Sequence, residues 1–269
     1  MISINTNYGG LFASKAASQS QRTLDTAMER LSSGMRINYA KDDAAGQAIS
    51  TRLTAEVQGL QMASRNAADA QSMIDTAESA HQEVHNMLLR MREIAVQAAN
   101  GTLSDADRTA LNAEVTALET EITSIADNTE FAGVKLGTSV AATFQTGTRN
   151  GVNMSHTFKD FDATTIGADV SVGSSGLAGN AISSIDAAIS TISTRRGELG
   201  AMSNRLSSTI ANLDNIAVNL SAARGRIQDT DFAKETTNLA KAQIMQQAAT
   251  AMLAQANASK GSVLTLIQS

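Results

Sequence analysis

Residues 182–227 read ISSIDAAISTISTRRGELGAMSNRLSSTIANLDNIAVNLSAARGRI, and one position in seven is apolar throughout: Ile185, Ile192, Leu199, Leu206, Leu213, Leu220 and Ile227. A seven-residue period returns a side chain to the same side of an α-helix every second turn, so these residues form one continuous seam. The companion line of Ile182, Ile189, Arg196, Ser203, Ile210, Ala217 and Arg224 is half polar. Such a helix mates asymmetrically with its partners and not as a simple two-stranded zipper.

A partner is written into residues 44–99. One line runs Leu53, Leu60, Ala67, Ile74, His81, Leu88, Ala95, and beside it lie Ala63, Ala70, Ala77, Val84, Met91 and Ala98, small enough at many positions for another helix to approach closely. Asp43-Ala44-Ala45 reads as the N-cap of this helix and Asn100-Gly101 as its stop. Ser104 followed by Asp107 caps a third helix, whose seam Leu111, Val115, Leu118, Ile122, Ile125 steps by four and three. From 133 to 179 glycine, serine and threonine are frequent. Val140 to Thr146 reads there as a strand entering the turn Gly147-Thr148-Arg149-Asn150-Gly151, with Met154 to Phe161 as its return. The two ends differ, since residues 3–36 and 229–267 carry only patchy stripes such as Leu24, Met28, Leu31, Met35 and Met245, Ala249, Met252, Ala256. Neither end can bury much alone, so neighbouring subunits are expected to cover them. The fold class is therefore mainly α: a long antiparallel coiled-coil helical bundle with a small β-hairpin insert at about 131–179.

Composition agrees. Among 269 residues there is no proline, which leaves helices uninterrupted, and with 3% aromatics and no tryptophan burial must come from Ala, Leu, Ile, Val and Met. No cysteine is present, so disulfide and thiol chemistry are excluded. The net charge of −5 and scattered lysines and arginines offer no counterion-releasing face, so no nucleic-acid partner is expected. Met1 to Phe12 has neither a basic start nor an apolar run, and no stretch is apolar and long enough for a membrane span.

His81 and His85 share one helix face at a zinc-binding spacing, yet no third ligand follows and His81 lies on the apolar seam. Asp42 and Asp43 fit a cap better than a cation site. No nucleophile has a base, so neither an enzyme, a metal nor a cofactor is expected.

Five strings carry a resemblance: Glu29 to Asn38 (ERLSSGMRIN), Ala40 to Ile49 (AKDDAAGQAI), Arg92 to Asn100 (REIAVQAAN), Ala222 to Ile227 (AARGRI) and Ala254 to Asn257 (AQAN). Together they resemble the two ends of bacterial flagellins, over about residues 1–137 and 180–269. The resemblance implies that 1–43 with 229–269 forms an inner filament-core helical domain, and that 44–228 forms the surrounding helical bundle. With only some 40 residues between the matched ends, the bulky outer domains of larger flagellins are expected to be missing. Also implied are a homopolymer of identical subunits in an extracellular filament, unfolded export, and export chaperone, cap and junction proteins as partners. The subunit interface is expected on the terminal helices at Leu24, Met28, Leu31, Met35, Phe232, Leu239, Met245, Met252, Leu264 and Ile267. Leu89, Arg90, Glu93, Ile94 and Glu114 match the stretch that contacts the vertebrate Toll-like flagellin receptor, although Leu89 stands where glutamine is common. Two rivals remain: a hook–filament junction protein, which shares such terminal helices, and a helical pore-forming toxin, whose apolar tail Val263 to Ile267 is too short to span a bilayer.

Overall fold

Proline-free sequence gives long helices here: α1 (Tyr8–Ser33), α2 (Ala44–Ala98), α3 (Asp105–Asn128), α4 (Ser175–Gln228) and α5 (Phe232–Gln268). A computed structural model describes the backbone of residues 6–268 and the side chains of residues 6–262. Between α3 and α4 lie the strands β1 (Glu130–Phe131), β2 (Val134–Lys135), β3 (Val140–Gln145) and β4 (Asn153–Phe158). The chain divides into two units, one of residues up to Ala55 together with Asn219 onward, the other Glu56–Val218. The junctions expected at 43/44 and 228/229 fall at the start of α2 and the end of α4.

In the unit of residues 56–218 both α2 lines are buried, from Leu60 to Ala95 and from Ala63 to Ala98. The α4 seam is buried from Ile185 to Leu213. One apolar cluster joins the C-terminal half of α2 to Val115 and Ile122 of α3, to Phe161, Ile166 and Val172 of the following segment, and to Ala178 through Ile192 of α4. A second joins Ala67, Ala70 and Ile74 to Leu136, Phe158, Leu199, Met202 and Leu206. Antiparallel β3 and β4 pair from Val140 with Phe158 to Gln145 with Asn153. Their alternation turns Phe144, Met154 and Phe158 onto the second cluster. The tiny β1–β2 hairpin, turned by Ala132 and Gly133 at φ 50° and 81°, is a feature the sequence reading lacks. Gly137 has to be glycine, because a Cβ there would sit 1.8 Å from the Ala126 carbonyl oxygen.

The caps form as their residues suggest. Ser104 Oγ accepts from the Asp107 N–H at 3.3 Å while the Asp107 carboxylate accepts from the Ser104 N–H at 3.1 Å. Asp43 Oδ1 accepts from the Gly46 N–H at 2.8 Å. Helix α4 starts at Ser175, ahead of its seam, with the preceding Ser174 accepting the Leu177 N–H on its hydroxyl, and so the turn-rich insert ends earlier than expected. Arg108, nearly fully buried, donates to the carbonyls of Ala98 and Asn100 at 3.0 Å each, satisfying the C-terminus of α2 from the first turn of α3.

In the other unit α1 packs along α5. Gly34 ends α1 in the left-handed conformation at φ 71°, where its N–H donates to the Arg30 carbonyl. The chain then runs beside the end of α4, with the Arg36 N–H donating to the Gln228 carbonyl at 2.7 Å and the Thr230 N–H to that of Gly34 at 3.0 Å. Among the described residues, no helix is long and apolar enough to cross a membrane.

Candidate functional site

The terminal helices bury the wrong residues for a self-sufficient pair. Among the described residues of their unit, the buried apolar side chains are Ala13, Ala27, Ile37, Ala242 and Ala249, four of them single methyl groups. Polar contacts tie the pair together: Asn7 Nδ2 donates to Asn257 Oδ1 at 3.2 Å, Gln246 Nε2 to Gln21 Oε1 at 2.6 Å, and Arg30 lies 3.8 Å from the nearly buried Glu235 carboxylate. The large apolar groups point outward. Phe12 is 76% exposed, Tyr8 72%, Ile244 65% and Met252 64%, and Leu11, Met28, Phe232 and Met245 are exposed too. Two helices that spend alanine on each other and leave phenylalanine, isoleucine and methionine in water carry an association surface.

Of the expected interface residues, Met28, Phe232, Met245 and Met252 are exposed, whereas Leu24, Leu31, Met35 and Leu239 are half-buried within the unit. Leu264 and Ile267 lie outside the described side chains. Tyr8, Leu11, Phe12 and Ile244 were not singled out by sequence, although an aromatic pair at i and i+4 in a chain this poor in aromatics is a signal that could have found them.

The second expected surface lies on α2 and α3. Leu89, Arg90, Glu93 and Glu114 are exposed. Arg90 grips Glu114 Oε1 through two nitrogens at 3.0 and 2.8 Å and reaches Glu93 at 3.1 Å. The Glu114 hydrogen bonds, then that of Glu93, raise the guanidinium pKa. Ile94 does not belong to this surface: it is 1% exposed in the first core cluster, because α3 and α4 both pack on this part of α2 and widen its buried stripe.

His81 is buried, and its Nδ1 lies 2.8 Å from the Ala77 carbonyl, which can only accept, so the proton sits on Nδ1. Among the described residues, no group of three histidine, cysteine or carboxylate side chains could hold a metal. Asp42 accepts the Tyr39 N–H at 3.0 Å and that of Asn38 at 3.2 Å. Chiefly the Tyr39 bond holds its carboxyl below the usual range.

Long seamed helices, a small hairpin and apolar surface concentrated on the terminal helices define a structural protein built to associate with further chains. Residues 4–138 match the bacterial flagellin N-terminal helical region and residues 182–267 its C-terminal helical region, leaving the hairpin insert between them. The chain belongs to the bacterial flagellin family. A flagellin of Halalkalibacterium halodurans is 44% identical over 248 residues, covering 90% of this chain and 91% of the relative. Flagellin A of Vibrio cholerae is 35% identical, covering 99% of this chain and 100% of the relative, and the alignment of 377 positions leaves long gaps on the side of this 269-residue chain. The crystal structure of Bacillus cereus flagellin superposes with a TM-score of 0.52 at 32% identity, covering 60% of this chain and 94% of that one. A putative flagellar hook-associated protein from Vibrio parahaemolyticus gives 0.60 over 70% of this chain and 100% of that one, but at 17% identity it shares the fold alone.

Proposed function

We propose that this chain is a structural subunit that self-assembles into an extracellular bacterial flagellar filament and serves swimming motility. The observation that carries this is the inverted burial of α1 and α5, with alanine inside and phenylalanine, isoleucine and methionine outside. Burying each outward side chain against a neighbour contributes on the order of 1.5–3 kcal/mol, so ordering of the ends and polymerisation are coupled. A repeated interface that fails to close on itself gives a helical polymer. In this reading residues 1–43 and 229–269 form the inner, filament-core domain and residues 44–228 the domain around it. Export chaperone, cap and junction proteins handle the subunit before and during assembly. Leu89, Arg90, Glu93 and Glu114 form a contact for a host Toll-like receptor on the free monomer.

The test is a chain lacking residues 229–269. Its residues 56–218 are expected to keep their helical signal and cooperative melting while losing all ability to extend filament seeds. Seeds that elongate with the truncated chain refute the role of the terminal helices. Electron microscopy of the polymerised full-length chain separates the rival readings, since smooth micrometre-scale filaments fit neither a junction protein nor a pore.

A further inference from the structure

All three histidines, His81, His85 and His156, lie in the unit of residues 56–218. Two of them line the same small cavity, about 10 Å³, together with Phe158, Lys159, Arg195, Glu198 and Leu199. That volume admits a single water at most. The His81 ring, on α2, lies 4.4 Å from that of Phe161 with the planes tilted by 50°, and His156, on β4, meets Phe158 edge-on at 4.9 Å. The His81–Phe161 contact, the Lys159 ammonium on Glu198 at 2.9 Å and the Arg195 guanidinium on the Asp160 carbonyl fasten the residues after β4 to α2 and α4, while the His156–Phe158 contact lies within β4 and the His156 ring shares the cavity with Arg195, Glu198 and Leu199 of α4.

We propose that these contacts form an acid-sensitive latch: in mildly acidic solution His81 and His156 take up protons and release β4 and residues 158–161, while α2 and α4 stay packed.

The charges around the latch set its direction. His81 faces Arg195 and Arg196 from α4 and Glu78 on its own helix, and Arg196 is already held by Glu78 at 2.8 Å. A proton on His81 thus adds a cation beside two arginines, one of which has its counter-ion engaged, in a site with room for one water at most. His156 faces Glu198 and Lys159, which are engaged with each other. His85 lies one turn along α2 from His81. Burial lowers the pKa of both His81 and His156 from the ordinary 6.5, against a weaker opposing pull from Ala77 on the first and Glu198 on the second. The released form therefore binds more protons than the latched one. Latching is fully favoured above the ordinary imidazole pKa and is lost as pH falls below it.

The experiment is hydrogen exchange on the full-length monomer at about pH 7.5 and about pH 5.5, in the range where imidazole titrates. Each proton bound only by the released form eases opening by up to about tenfold per pH unit. Protection of residues 153–161, corrected for intrinsic exchange, is expected to fall by that order while α3 is unchanged. His81→Asn keeps a donor for the Ala77 carbonyl, and its combination with His156→Gln is expected to abolish the fall. Burial shifts the Glu119 carboxyl upward as well, and Glu119→Gln is expected to preserve the fall. Equal protection at both pH values in the wild type, or a fall that persists in the double variant, overturns the proposal. Should the double variant fail to fold, the imidazole C–H resonances of the wild type decide: a His81 ring titrating at or above its ordinary value overturns it, and one titrating below, in step with the loss of protection, sustains it.

Discussion

Replacing Leu206 with aspartate puts a carboxylate at the centre of the α4 seam, where the leucine is completely buried among Ala67, Ala70, Ile74, Leu199 and Met202. Losing the leucine costs about 1.5–3 kcal/mol of apolar burial. A buried carboxylate without a partner adds about 3–5 kcal/mol. The sum reaches the lower half of the ~5–15 kcal/mol that holds an ordinary domain together, so residues 56–218 should be largely unfolded at neutral pH. The damage has a signature. A buried, unpaired carboxyl has its folded pKa raised above the unfolded value of about 3.9, so the folded variant binds the extra proton and its deficit shrinks as pH falls. Urea melts followed by far-ultraviolet circular dichroism at neutral and mildly acidic pH measure both quantities. The same change at Leu220, on the same seam but only half-buried, should cost about 1 kcal/mol or less. A Leu206→Asp chain within about 1 kcal/mol of wild type, or a deficit that is constant with pH, refutes the assignment of this seam as the core.

Arg108→Ala removes both guanidinium donors and leaves the Ala98 carbonyl without one, while the Asn100 carbonyl keeps only the Leu103 N–H, and thermal melting should show a loss of about 2–4 kcal/mol for two charge-assisted bonds. Ser104→Ala removes the reciprocal cap of α3 and should cost about 1 kcal/mol. The Ser104 hydroxyl, then its N–H, hold the Asp107 carboxyl below the usual range, so the contribution of this cap is present above the unfolded carboxylate pKa and is lost on acidification through the lowered one. Arg90→Ala, at an exposed ion pair, should leave melting essentially unchanged. The same variant should weaken signalling by monomer through the vertebrate flagellin receptor, and equal signalling would remove Arg90 from that surface. A short peptide inserted after Asn150, at the exposed hairpin tip, should leave polymerisation intact, which seed-extension assays check.

The helices with continuous seams were readable because each seam residue in residues 56–218 meets a helix from the same chain, so period and burial coincide. The N-caps at Asp43 and Ser104 were readable for a similar reason, since one side chain and one N–H three residues on decide them. The seam reading failed where burial comes from two sides: Ile94 sits outside both α2 lines, yet α3 and α4 enclose it together. The insert was legible as a turn flanked by strands, but the two-residue β1–β2 pair has too little sequence to show a period. The extra turns at the start of α4 carry only Ala178 and Ala181 as buried residues, and alanine marks neither helix face strongly. The surface on α1 and α5 was half legible. Exposed methionines within weak stripes pointed to it, while Phe12 and Ile244 lie off those stripes because the α1–α5 contact uses alanine and the large residues turn elsewhere.

The alanine interior of the α1–α5 pair bears on how a polymer of such chains starts. If ordering of the ends and polymerisation are coupled as proposed, two free monomers that meet must both order their ends before either gains a full set of contacts, and fixing the backbone costs roughly 1–2 kcal/mol per residue ordered. A chain arriving at an existing end finds neighbours already in place and orders only its own helices. On the proposed assembly, growth from a template is therefore faster than spontaneous initiation, and subunits add where a tip is offered.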